Sequence, residues 1–406
     1  MDKINLIAIA IPIFFALIAI EIWVARRQGL DVYRFNDGIT DLSCGITQQV
    51  TGVFIKVIPV AVYVFVYDHF RAFEIDGLGA QIVAFLGVDF MYYWWHRWTH
   101  RVNIGWATHV VHHQSEDYNL AVALRQSLTS SISSLPFYLP LAILGISPIV
   151  FLTHSALNTL YQFWIHTETI DRIGPLEWVL NTPSHHRVHH GINPEYLDKN
   201  YAGVLIIWDR IFGTFAPEVK QVVYGTVKPM GSFNPLWANV WYFAMLYRDS
   251  IGAKTAYESA KVWWAPPGYR PEGLEPYPEP GDVDRSQQKK YDPETPIGLS
   301  RYIFLHFVPL GVSVFLMLWF EDSAGFVTLF LAMTLIVATT VSWGGLFERK
   351  PWALPLELGR VAVIGVFITW LVAGDAGLIG LLVVTWVAVV ASMGWVLSYR
   401  DLFTEA

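Results

Sequence analysis

Ten of the thirteen histidines stand in four groups between His96 and His190: His96-x3-His100, His109-x2-His112-His113, the single His166, and His185-His186-x2-His189-His190. On an α-helix, residues three and four apart share a face, so each group can turn two or three imidazoles toward one point. Neutral imidazole suits Fe, Zn, Cu and Ni, and ten such donors exceed what one tetrahedral ion uses, so two metal ions are expected. The lone cysteine, Cys44, excludes a thiolate cluster and an intramolecular disulfide, which leaves nitrogen and oxygen as donors. His69, His154 and His306 stand alone and are read as structural.

Polar residues near these groups are candidates to support them. Asp89 lies seven residues before His96, on the same helical face, inside an apolar run where a carboxylate is costly unless partnered. It could hold a ligand imidazole from behind, or make a polar contact between helices. Glu116 and Asp117 follow the second group and could orient ligands or touch substrate, with a solvated helix end as the alternative. Asn158, Gln162 and His166 recur every four residues at the end of an apolar run, a stripe that suggests a site rather than lipid contact. Asp198, Asn200 and Asp209 follow the last group and could accept from outer ring nitrogens, or simply lie at the surface. His186, His189 and His190 repeat the spacing of the second group, whereas His185 lies farther round the helix and is the least secure ligand.

These residues must be positioned by membrane helices. The 406 residues are 54% hydrophobic and only 15% charged, with mean hydropathy +0.39, which marks an integral membrane protein. Apolar runs fall at about 4–24, 44–67, 79–95, 134–147, 149–165, 302–320, 325–346, 357–374 and 377–397. The fold class expected is all-α, a polytopic bundle of about seven to nine membrane segments. Pro136, Pro140 and Pro148 make the 134–165 pair a kinked or re-entrant hairpin as readily as two crossings. The first run lacks a small-residue cleavage site and continues into Glu21 and Arg26-Arg27, so it reads as a retained anchor. Placing the histidines in the cytoplasm puts Arg26, Arg27, Arg34, Arg349, Lys350 and Arg400 there too, as the positive-inside rule favours.

The chain divides into amino-terminal spans (1–95), a catalytic region (96–300) with the 134–165 hairpin and a cytosolic loop at 248–300, and a carboxy-terminal bundle (301–406). Within that loop, 264–298 is dense in Pro, Gly and charge and reads as a linker in preference to a lid. A formal charge of -7 says little about partners, and no nucleic acid is expected. No dinucleotide, haem or ferredoxin pattern is present, so no electron supply of the chain's own is recognisable.

The three motifs His96/His100, His109/His112/His113 and His186/His189/His190 resemble the signature of the fatty acid hydroxylase superfamily, also called the sterol desaturase family. Within it, the stretches YYWWHRWTHRVNIGWATHVVHHQSEDYNLAVALRQS, LYQFWIHTE, GPLEWVLNTPSHHRVHHGINPEYLDKNYAGVLIIWDRIFGTF and VVYGTVKP are similar to the alkylglycerol monooxygenase family. The resemblance implies a non-haem di-iron enzyme that uses O2 to hydroxylate the carbon beside the ether oxygen of a 1-O-alkylglycerol, with collapse to a fatty aldehyde and glycerol. It further implies two iron ions, with zinc as an alternative occupant on purification, and tetrahydrobiopterin as reductant. A membrane lipid and an external pterin-recycling or electron-donor system would be the partners. Against the broader superfamily, Gln162 stands where a further histidine sometimes precedes the third site, which would leave room at one metal. A fatty acyl, sterol or other lipid hydroxylase or desaturase with a separate reductase is the alternative. A metal transporter fits less well, because the histidines gather at one side instead of stringing through the spans.

Overall fold

The computed structural model describes residues 6–404; the first residues of the 4–24 run lie outside them. Every element is helical, and among the described residues β pairing is limited to two isolated antiparallel bridges, Leu180 with Leu205 and Gly191 with Tyr224. Helix α1 (Leu6–Gln28) leads to α2 (Phe35–Ile55) and α3 (Val57–Phe70). The last two are bent by 49° at Lys56. Pro59 explains the bend, since it has no N–H to give the carbonyl of Ile55 and its ring crowds that group.

Helix α4 (Gly77–Arg101) carries the first histidines on its last turns, and short helices α5 (Asn103–Ala107), α6 (Val110–His113) and α7 (Leu120–Ala123) follow. Helices α8 (Ser130–Leu144) and α9 (Pro148–Trp164) form the hairpin, joined through Gly145 at φ 108. A Cβ there would sit 2.1 Å from the carbonyl oxygen of Phe73, so both the left-handed turn and the close approach require glycine. Helices α10 (Pro183–His189) and α11 (Ile207–Ile211) lie in the irregular stretch beyond, and α12 (Pro235–Ile251) returns to pack on α2, α5 and α15.

The carboxy-terminal bundle comprises α14 (Ile297–Trp319), α15 (Phe326–Phe347), α16 (Ala353–Leu371) and α17 (Ile379–Leu397), after α13 (Ala256–Trp264). These four helices are long and apolar enough to cross a membrane, and the bent α2–α3 pair adds a fifth. Among the described residues that makes four or five candidate spans, which bears out a polytopic helical bundle without confirming a count of seven to nine. Helices α8 and α9 have 15 and 17 residues, below the about 20 that a ~30 Å core takes. The bundle is fastened to the amino-terminal half through α2, where Thr47 and Thr340 hydroxyls meet at 3.1 Å and Val50 joins Trp343 and Phe347 in one buried cluster.

The expected loop at 248–300 begins with the end of α12 and the separate helix α13, and its later part is a strap rather than a free linker. Arg285 makes two bonds to the Glu168 carboxylate at 2.9 and 2.8 Å, and Lys290 reaches Asp117 at 2.5 Å. The Tyr291 N–H donates to Glu116 at 2.6 Å, and Asn36 donates to Asp292 and Thr295.

Candidate metal centre

Nine imidazoles converge into two abutting groups. His96, His100, His109, His113 and His189 form one; His112, His166, His186 and His190 form the other; within each, the ligand atoms lie within 4.8 Å of one another. Donors on opposite sides of an ion bound at 2.0–2.1 Å are about 4 Å apart, so each group has the size of a coordination shell. The delivery follows helical spacing. His96 and His100 are one turn apart on α4, His109 and His113 bracket α6, and His186 and His190 bracket the last turns of α10. In each H-x2-HH motif the pair four apart serves one group while the middle histidine serves the other: His112 joins His186 and His190, and His189 joins His109 and His113. The groups touch through the stacked rings of His113 and His190, 4.3 Å between centroids.

Four rings are fixed from behind by backbone carbonyls. The Nδ1 atoms of His96, His112, His166 and His189 lie 2.7, 3.0, 2.7 and 3.0 Å from the carbonyl oxygens of Tyr201, Arg125, Gln162 and Lys199. Such a bond places the proton on Nδ1 and frees Nε2 to face inward. The Nε2 atoms of His100, His189 and His190 are buried without any partner, an arrangement that a bound cation would satisfy. Burial, reinforced by repulsion between neighbouring rings, holds these imidazoles neutral; it pushes His112 down to about 4 and His189 to about 3. Trp106 covers His100 and His113, and Tyr118 stacks on His166 at 5.7 Å and on Tyr224 at 4.7 Å. Arg285 of the strap lies over Tyr224.

His185, the least secure of the expected ligands, belongs to neither group. Its ring meets Phe215 edge-on at 5.3 Å, because its place on α10 turns it away from the face that His186 and His190 share.

The supporting residues differ from expectation as well. The carboxylates do not touch ligand rings; carbonyls do, and these leave no mark in a sequence. Asp89 accepts from Val204 N at 2.7 Å, Leu205 N at 3.0 Å, Trp208 Nε1 at 2.9 Å and Asn158 Nδ2 at 2.8 Å. It therefore holds the 203–208 segment, and acts on His96 only through the neighbouring Tyr201. Gly203 permits that contact, since a Cβ would lie 2.9 Å from oxygens of both Asp89 and Asn158. Asp209 accepts from the N–H groups of Tyr201 and Ala202, both at 2.8 Å. Asn200, at φ 54, ties His185 O to Ala216, and Asp198 pairs with Arg101 at 2.8 Å away from the rings. Glu116 and Asp117 bind the strap and Arg34 rather than ligands or an open site.

Gln162 donates to Asn158 Oδ1 and accepts from Tyr92 OH, both at 2.7 Å, so its side chain points away from the metal groups. The four-histidine group is thereby one imidazole poorer than its neighbour. Arg125 escaped sequence reasoning: only 2% exposed, it pairs with Asp41 at 3.0 Å while its carbonyl holds His112.

The donor set fits two metal ions. Nine neutral nitrogens face two points, three of them orphaned, and among the described residues neither group includes a carboxylate or thiolate. The chain resembles several known proteins. The fatty acid hydroxylase family matches residues 81–214. Alkylglycerol monooxygenase of Xenopus tropicalis is 41% identical over 354 residues, 86% of this chain and 78% of that protein. The Homo sapiens alkylglycerol monooxygenase is 39% identical over 86% of this chain and 80% of its own length. Ornithine lipid hydroxylase OlsE of Rhizobium tropici is 30% identical over 137 residues, 33% of this chain and 41% of that protein. No solved structure matches the chain.

Proposed function

The chain belongs to the fatty acid hydroxylase family and groups there with the alkylglycerol monooxygenases, and from that premise we propose that it is an ether-lipid monooxygenase. The substrate is a 1-O-alkylglycerol. One atom of O2 enters at the carbon beside the ether oxygen, the other leaves as water, and tetrahydrobiopterin supplies two electrons. The hemiacetal then collapses to a fatty aldehyde and a glycerol. The observation that carries the oxidative chemistry is the pair of buried imidazole groups, five and four strong. Two iron ions held there would supply the redox-active centre for O2.

The chain's own residues do the rest. Carbonyls of Tyr201, Arg125, Gln162 and Lys199 orient the ligands, and Trp106 and Tyr118 keep water from the rings. Asp89 and Asp209 fix the loop that carries Tyr201. The site faces the cytoplasm in this reading, where a soluble pterin and its recycling system can reach it.

The test is an assay of purified, iron-loaded protein with an alkylglycerol panel, O2 and reduced pterin. Fatty aldehyde that requires all three is expected; unchanged ether lipid would refute the proposal. The likeness of a third of the chain to an ornithine lipid hydroxylase favours a second reading, a hydroxylase of another membrane lipid fed by a separate reductase. Lipid profiles of cells with and without the gene separate the two.

A further inference from the structure

The stretch after His166 exposes large apolar side chains that water does not favour. Leu176, Trp178, Val179 and Ile211 are 57%, 71%, 49% and 65% exposed. They are not scattered. Arg210 lies over the rings of Trp178 and Phe215 at 5.3 and 3.8 Å, and Phe212, next to Ile211, packs on Trp94 of α4 at 4.9 Å. Phe90, one turn earlier on α4, meets Trp208 at 5.1 Å. The patch thus continues the outward apolar stripe of α4, in which Ile82, Phe85 and Leu86 are exposed.

Its depth follows from that attachment. Residues 90–97 of α4 lie about 20–30 Å along the helix from Gly77, past the exposed apolar positions Ile82, Phe85 and Leu86. Asp89 fixes the register by binding Val204, Leu205 and Trp208 at that level. Two guanidinium groups rim the patch. Arg97 lies over Trp94 at 5.5 Å and Arg210 over Trp178, and neither makes a salt bridge among the described residues. Each donates one hydrogen bond at 3.1 Å, Arg97 to Tyr93 Oη and Arg210 to the Glu177 carbonyl, and an arginine with donors to spare beside an aromatic ring suits the level of lipid phosphates.

We infer that residues 174–180 and 208–213 form a wedge sunk into the leaflet on the histidine side, with Trp178 and Ile211 among acyl chains and Arg97 and Arg210 on the phosphate of an anionic lipid headgroup. The inference goes beyond the oxidation chemistry and stands without it. Continuity with α4 and the charge of the rim select lipid over a protein partner as the occupant.

The test uses the full chain in phosphatidylcholine nanodiscs, labelled with a nitrobenzoxadiazole dye at Trp178→Cys or Ile211→Cys. Both positions are exposed, and the native Cys44 is buried out of reach of the dye. With 5-doxyl-phosphatidylcholine present, quenching at both positions should exceed that at Glu279→Cys on the strap side by about threefold or more. Equal quenching at all three would overturn the wedge and leave the patch to a protein partner. For the headgroup, the rise in melting temperature on replacing phosphatidylcholine with phosphatidylglycerol should vanish in an Arg97→Gln/Arg210→Gln variant and persist in Arg210→Lys. An unchanged rise in the double variant would overturn that part.

Discussion

His112 and His189 cross between the metal groups, and each leaves its nearest sequence neighbours to do so. On the proposed two-metal reading, removing either reaches both ions, since the groups touch through the stacked rings of His113 and His190. His189→Ala should lower bound metal from about two ions per chain to one or fewer and abolish activity, by elemental analysis and turnover. His185→Ala should leave metal content unchanged, because the ring rests on Phe215. The motif spacing made the pairs four apart legible. It did not reveal the crossing, because α6 has four residues and α10 seven, too short for a helical-face argument to settle where the middle ring goes. The imidazoles also set a pH response. Their values in the folded, metal-free protein lie below the ordinary 6.5, at about 4 for His112 and about 3 for His189. The stability they contribute is present above 6.5, where the unfolded chain is neutral too, and is lost as pH falls, because the unfolded chain takes up protons first. The melting temperature of metal-free protein should drop by several degrees from pH 7 to pH 5, and bound metal should raise it at both pH values.

Segments without regular structure do much of the positioning. The 199–209 stretch carries two of the four carbonyls that hold ligands, and Asp89 anchors it from α4. Asp89→Ala would strand two buried N–H groups and an indole, each costing about 1–3 kcal/mol. Faster hydrogen exchange at 201–208 together with reduced metal content is the expected result. Exchange confined to residues near Asp89, with metal intact, would show that the anchor does not reach His96. The strap behaves as a separate element. Glu168→Ala frees Arg285 from a pair that is largely shielded from solvent, and trypsin should then cut at Arg285, Lys289 and Lys290 more rapidly while metal content stays the same. Composition alone cannot distinguish a tethered strap from a linker, because its fasteners are distant in sequence: Asn36, Glu116, Asp117 and Glu168.

The apolar runs made the membrane helices legible, and the all-helical architecture with them, since a 20-residue apolar stretch admits few other structures in lipid. Attachments between the halves were not legible: the Thr47–Thr340 contact joins residues nearly 300 apart, and the return of α12 onto α2 and α5 rests on packing no local pattern encodes. The same topology sets the sidedness test. Cysteine at Glu279 should react with an impermeant maleimide only from the cytosolic face, and cysteine at Asp322, in the turn between α14 and α15, only from the opposite one. One feature bears on how the molecule is made. All nine ligands, and the carbonyls behind four of them, lie between His96 and Tyr201, whereas the strap begins at Arg285. At a synthesis rate of about 5–20 residues per second, roughly 4–17 s separate completion of the cage from arrival of the strap. The nine imidazoles are thus all synthesised well before the segment that packs beside them through Tyr224 and Tyr118.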